Sequence, residues 1–262
     1  MLLKHKNNND IYRMIFVENT EANKTNDESA LVKEQTTSVK EETTTLPNTC
    51  SLGGQNITNS FKIQNVFITP VVQMANKYNF TKEELDAINK LELKPNLGNK
   101  RTVSSKILED ESLKKMKDYI NLGIKNYVDT IVCPANKDIE FYITESWCNV
   151  TDPTHFHHKH AHPNSILSGC LYIQAETNVD RITFFNERYN RIKIGVDNNR
   201  FSNYNSESWW LPVETGDLII FDSSLTHMVE NTKSTQPRIS LSFNVFVKGT
   251  LGEPGALTDL VL

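Results

Sequence analysis

Apolar positions change period twice along this chain. Up to about residue 58 they are nearly absent: "ENTEANKTNDESALVKEQTTSVKEETTTLPNTCSLGGQNIT", residues 18–58, is Thr, Glu, Asn and Lys with almost no aromatic or large aliphatic side chain. Such a stretch buries too little surface to offset its ordering entropy. Residues 1–58 are therefore expected to be a disordered or tethering tail, with residues 1–17 either a docking peptide or simply its end. Residues 61–74 then alternate apolar and polar as a strand does, with Pro70 near the end. The period next lengthens to 3.6. Thr81 with Glu84 three residues on is a capping-box pattern and predicts a helix over about 82–92. Leu113, Met116, Ile120, Ile124, Tyr127 and Val128 predict an amphipathic helix over about 110–132.

After that the period returns to two. Strands are predicted at 139–150, 165–175, 181–185, 208–213, 217–221, 227–230 and 238–247, separated by turn residues. Short strands following helices that can cover one face point to a mainly β sandwich or jelly roll, not an alternating βαβ fold. Neither G-x-G-x-x-G nor G-x-x-x-x-G-K-[ST] occurs. One domain is expected over 59–250, with 251–262 as a C-terminal tail.

The last strand, "RISLSFNVFV", has Ile239, Leu241, Phe243 and Val245 on one face and Arg238, Ser240, Ser242 and Asn244 on the other. In an ordinary sandwich the polar face meets solvent. In a small barrel-like jelly roll it lines the mouth, where a ligand sits.

Composition narrows the partners. The net charge of −4 leaves no basic surplus for a duplex or an anionic bilayer, so neither nucleic acid nor membrane is expected as principal partner. Cys50, Cys133, Cys148 and Cys170 are scattered without a CxxC and read as thiols of a reducing compartment. With no apolar run of spanning length and no signal peptide, the expected location is cytoplasmic.

The densest chemistry is "HFHHKHAHPNSIL", residues 155–167. Histidine is the commonest metal ligand, and two at i and i+2 on a strand point the same way. His160 and His162 have that spacing, and Pro163 biases His162 toward extended backbone. The histidine downstream of the cluster is His227, one predicted strand before Arg238. His155, His157 and His158 are read as a solvated histidine-rich loop, a trap for adventitious metal, or an alternative pair such as His158 with His160.

"HAHPNSILSGCLYI", "PVETGDLIIFDSSLTHMVEN" and "RISLSFN" together resemble the iron(II)/2-oxoglutarate-dependent oxygenases marked by H-x-H-P-x-S-x-x-S-G, G-D-L-x-x-F with a distal His, and R-I-S-x-S-F-N. With "VFITPV" and "ESWCNV" the resemblance covers about residues 62–247, a type found in marine bacteria and their phages; a viral source would place the protein in the host cytoplasm. It implies a double-stranded β-helix, the cupin-like jelly roll, covered by N-terminal helices. It implies Fe(II), 2-oxoglutarate and O2 as cofactors, with His160, His162 and His227 on the metal. Arg238 would take the distal carboxylate of 2-oxoglutarate, whose geometry suits a rigid guanidinium fork. Ser240, Tyr172 and Asn149 are further candidates around the co-substrate, Tyr172 being as readily a core residue; Trp147 is expected in the core. No catalytic side chain beyond these ligands is expected.

The chain departs from the usual pattern where His162 replaces the carboxylate of a two-His, one-carboxylate iron site. Either three imidazoles hold the metal or two do with water in the third place. The leading reading is a dioxygenase that hydroxylates a C–H bond with release of succinate and CO2. The alternatives are a non-catalytic jelly-roll module in a structural or virion assembly, and a three-histidine dioxygenase that needs no 2-oxoglutarate. The residues name no primary substrate; the tail could serve a homo-oligomer or larger assembly.

Overall fold

The structure is a computed structural model that describes residues 48–52, 55–59, 67–187, 194–197 and 199–262. The chain divides into two units, residues 1–64 and 65–262. In the first, β1 (Asn48–Leu52) pairs antiparallel with β2 (Gln55–Asn59). Paired backbone thus occupies the end of the stretch expected to be tail, which the composition argument, blind to local pairing, does not foresee. Residues 1–47 lie outside the described residues.

The second unit opens with β3 (Val71–Gln73). Of the strand expected over 61–74, residues 61–66 lie outside the described residues, and pairing begins after Pro70. A proline has no N–H to give a ladder. Helix α1 (Lys82–Asn89) starts on the anticipated capping box, with the Thr81 hydroxyl accepting from Glu84 N–H and the Glu84 carboxylate accepting from Thr81 N–H. A hairpin absent from the sequence reading follows, β4 (Leu93–Asn96) and β5 (Asn99–Thr102). Gly98 at its turn has φ +83°, and a Cβ there would stand 2.7 Å from the Phe156 carbonyl oxygen. Only glycine lets this hairpin lie against the chain at Phe156, inside the histidine stretch.

The second helix is shorter than its periodicity suggested. Two 3-10 turns (Ile107–Glu109 and Glu111–Leu113) precede α2 (Lys114–Tyr127), and a π turn (Val128–Val132) ends it at Cys133, whose φ is 47°. Asp110 draws off the start by accepting from Ser112 N–H. All six residues on the expected apolar stripe are nonetheless buried.

Eight further strands form the body: β6 (Glu140–Thr151), β7 (His157–His160), β8 (Leu167–Gln174), β9 (Arg181–Phe185), β10 (Ser208–Pro212), β11 (Leu218–Asp222), β12 (His227–Val229) and β13 (Arg238–Lys248). β14 (Thr250–Leu251) and β15 (Leu260–Val261) pair at the end, so backbone pairing reaches into the expected C-terminal tail. The larger sheet runs β3-β11-β8-β13-β6-β5-β4 and the smaller β10-β9-β12-β7. From β6 to β13 the chain passes back and forth between the two sheets. This is the mainly β jelly roll, a double-stranded β-helix.

Two cores separate the layers. On one side of the larger sheet Leu171, Leu218, Ile220, Leu241, Phe243 and Val245 join Met116, Ile120 and Ile124 of α2. On the other, Cys170, Tyr172, Ile219 and Phe221 meet Ile182 and Phe184 of the smaller sheet. At Gly169 a Cβ would lie 2.4 Å from the Phe243 ring, so this glycine is what lets the phenyl seat against β8.

Candidate metal centre

Three elements bring the histidines together. β7 pairs with β12 so that His160 lies directly opposite His227, and His227 in turn opposes Phe184 of β9. Outward-facing Lys159 sits over the Phe185 ring, while its neighbours His158 and His160 take the other side. His227 is set by a tight turn in which Asp222 accepts from Ser224 N–H.

His162 reaches the same place by another route than expected. It lies two residues beyond the end of β7 and does not share a strand with His160. Its N–H donates to the Ser223 carbonyl at 2.9 Å, before a turn at Pro163 and Asn164, where Asn164 has φ 54°. Its ring is nearly parallel to that of His227, at 8° and 5.2 Å between centroids. The anticipated partners therefore meet, although the shared strand face does not deliver them.

One ligand nitrogen from each of His160, His162 and His227 lies within 4.8 Å of the others. Second partners fix which nitrogen is free. His160 Nδ1–H donates to the His158 carbonyl at 2.7 Å and His227 Nδ1–H to the Leu225 carbonyl at 2.9 Å, so Nε2 carries the lone pair on both. His162 Nε2 and His227 Nε2 are 3.4 Å apart. Two nitrogens on one tetrahedral ion at 2.0–2.1 Å stand about 3.4 Å apart. Burial first, then the neighbouring rings, pushes His162 down to about 4 and His227 to about 3; burial also lowers His160. The imidazoles are neutral at pH 7, which is the form that binds metal. The residues present fit a divalent ion.

No carboxylate joins them. Asp152 pairs with Lys100 at 2.9 Å, and Asp222 accepts from Ser224. Among the described residues the clusters able to hold a metal consist of histidine alone.

Beside the histidines lies a buried polar patch on β13 and its neighbours. Arg238, Ser240 and Ser242 share one face, opposite Thr151, Asn149 and Trp147 of β6, with Tyr172 and Cys170 of β8 opposite Ser240 and Ser242. The Arg238 guanidinium donates to the Arg181 carbonyl at 3.0 Å and stands 5.0 Å over the Tyr172 ring. Burial is the main cause of the lowered pKa values of His227 and His157, and the charge of Arg238 adds to it. The Tyr172 hydroxyl is buried without a partner, as is Asn149 Oδ1. Burial raises the Tyr172 pKa, so the phenol stays a proton donor. The Asn149 amide donates to Ser242 Oγ at 3.0 Å; turned over, it would accept from that hydroxyl and leave two N–H donors facing the patch. Guanidinium, phenol and amide are together a donor set for an anion.

Residues 145–244 match the family model described as "Putative 2OG-Fe(II) oxygenase". This segment runs from Glu145 on β6 to Asn244 on β13 and includes every residue of the histidine triad and the polar patch. The match supports an oxidoreductase, and the family implies Fe(II), 2-oxoglutarate and O2. No curated protein matches the chain. Among solved structures it is similar to a 2OG-Fe(II) oxygenase family oxidoreductase from Burkholderia pseudomallei, at 11% identity over 67% of this chain and 83% of that one, with a TM-score of 0.47. Streptomyces hygroscopicus HygX, solved with nickel, 2-oxoglutarate and hygromycin B, is 9% identical over 68% and 82%, TM-score 0.45. A Pseudomonas putida prolyl-4-hydroxylase is 14% identical over 67% and 92%, TM-score 0.43. No described helix is long and apolar enough to cross a membrane.

Two site neighbours differ from expectation. Trp147 is only half-buried and stands 5.9 Å from the His162 ring, because it belongs to the polar face of β6 and not to the helix-covered one. His157, for which a solvated loop is one of three readings, packs 4.6 Å from the His160 ring, and burial pushes it down to about 2. A bulge in β7, invisible to residue spacing, accounts for that. His155 is the exposed one, its Nδ1 3.2 Å from the Pro153 carbonyl.

Proposed function

We propose that this protein is a non-haem Fe(II)- and 2-oxoglutarate-dependent dioxygenase that hydroxylates a C–H bond and releases succinate and CO2. His160, His162 and His227 hold the iron as three neutral imidazoles, and Arg238 receives the distal carboxylate of 2-oxoglutarate. The observation that carries this reading is the convergence of three histidine nitrogens beside a buried arginine that no described carboxylate neutralises. An unpaired buried cation is costly, and a bound carboxylate relieves that cost.

Within this reading the chain's own groups bind and orient. The Tyr172 hydroxyl and Ser240, on the Arg238 side, donate to the same carboxylate, and Asn149 offers an amide to the co-substrate. The Tyr172 ring lies 5.0 Å from the guanidinium carbon and packs beside the fork that a bidentate grip on carboxylate uses. The Phe184 and Phe221 rings, both against His227, exclude water from the metal side. When bound, Fe(II) with 2-oxoglutarate supplies the oxidising power that moves an oxygen atom from O2 into the substrate. The free thiols at Cys133, Cys148 and Cys170 support a cytoplasmic setting.

Anaerobic addition of Fe(II) and 2-oxoglutarate should produce a visible charge-transfer band, and admission of O2 should yield succinate. His227→Ala should lose both. A well-folded protein giving neither band nor succinate would overturn the reading.

A further inference from the structure

The triad accounts for three of the five clustered rings at the end of the smaller sheet and leaves His157 and His158 without a part. In a regular strand these two would face opposite sides. Here His160 opposes His227 and His157 opposes Val229, a step of three residues on β7 against two on β12. The extra residue is a β-bulge, the device by which strands re-aim a side chain. It brings the His157 and His158 rings to 5.1 Å from each other and to 4.6 and 4.8 Å from His160. A ligand nitrogen from each of the three lies within 4.8 Å of the others. Independently, His158 Nδ1 is buried and has no hydrogen-bond partner.

We propose that His157, His158 and His160 form a second position for a divalent transition-metal ion, sharing His160 with the triad. The two positions exclude each other. His160 Nδ1 is committed to the His158 carbonyl, so Nε2 is its one available lone pair, and one lone pair serves one ion. Closing the three nitrogens to the roughly 3.4 Å spacing around a tetrahedral ion takes ring movements on the order of 1 Å, within the range of side-chain rotation. The ligand class is set by the donors: neutral imidazoles select Zn, Co, Ni, Cu or Fe over Mg and Ca. An ion in this position has left His162 and His227, so the cluster can hold metal away from the triad. The inference rests on histidine geometry and stands whether or not the protein oxidises anything.

Co(II) alone is the probe, titrated into the full chain by calorimetry and visible absorption. Wild type should bind one ion per chain. His162→Ala/His227→Ala, which dismantles the triad, should still bind one, and adding His157→Ala/His158→Ala should weaken that binding by about 100-fold or more. If the alanine pair does not fold, His162→Gln/His227→Gln carries the same test. A folded triad-less variant that binds no Co(II) would overturn the second position, and two ions on the wild type would overturn the sharing of His160.

Discussion

The two sides that the larger sheet presents along β13 are both buried and chemically opposite. Along β13, Leu241, Phe243 and Val245 are 0% exposed toward the helices, while Arg238, Ser240, Ser242 and Asn244 are 4–7% exposed toward the smaller sheet. Burying hydrocarbon stabilises the fold, whereas burying hydroxyls, amides and a guanidinium costs free energy unless each finds a partner. The polar side is partly satisfied from within: Ser168 Oγ donates to Asn244 Oδ1 at 2.9 Å and exchanges a 2.8 Å bond with Ser223. It is left unsatisfied at Tyr172 and Asn149. Both sides of the sheet thus carry core, and on the smaller-sheet side the strand β13 adds polar groups that the fold itself does not fully satisfy.

The sharpest break of that contrast is on the apolar side. Phe243→Ala removes a fully buried ring from both α2's core and the slot that Gly169 leaves open, and should cost about 3–5 kcal/mol. Ser242→Ala, one residue away on the other side, should cost less, about 1–2 kcal/mol, because it leaves the buried Asn149 amide without its partner. Urea denaturation of the two variants compares them directly. Equal losses would mean the two sides share the work of stabilising the sheet.

Arg238→Met tests the converse. A methionine fills much of the same space without the charge, so thermal stability should hold or rise, as when buried ionic groups give way to packed apolar ones. The KM for 2-oxoglutarate, read from succinate formation, should rise about 100-fold, because the carboxylate loses its charged partner. Arg238→Lys should recover little of it, since an ammonium cannot make the forked contact. A large stability loss with unchanged KM would place Arg238 among the structural residues instead.

What could be read from the residues follows the same division. Period marked α2's buried stripe and the body strands other than β7, because burying apolar area is what period reports, and a capping box marked α1. It also separated the two faces of β13, though not that both are buried, since nothing in "RISLSFN" says a second sheet lies opposite. The site was legible as residue types and order but not as geometry. His162 was expected beside His160 on a strand and instead arrives through a turn held by Ser223. The readings for His157 stayed open because an inserted residue in β7 has no sequence mark. Gly98 and the β4–β5 hairpin that leads to Phe156 were missed because a close backbone approach is a tertiary fact.

The smallest effect separates the sides by acid. His157, His162 and His227 are held far below the ordinary histidine value near 6.5, burial being the main cause in each. The folded protein therefore refuses protons that the unfolded chain accepts. Their contribution is full above about pH 6.5 and is lost progressively as pH falls toward the folded values, because the unfolded state then binds more protons. In the presence of a chelator, Tm should drop between pH 7 and pH 5. Replacing one of the three, His157→Phe, removes one such group, so that variant's drop should be smaller by on the order of 5 °C. Titrations of Tm against pH for both proteins check it. Parallel curves would mean that His157 is solvated in the folded protein and takes up its proton at an ordinary pH, and the polar side would then not be dry at this end.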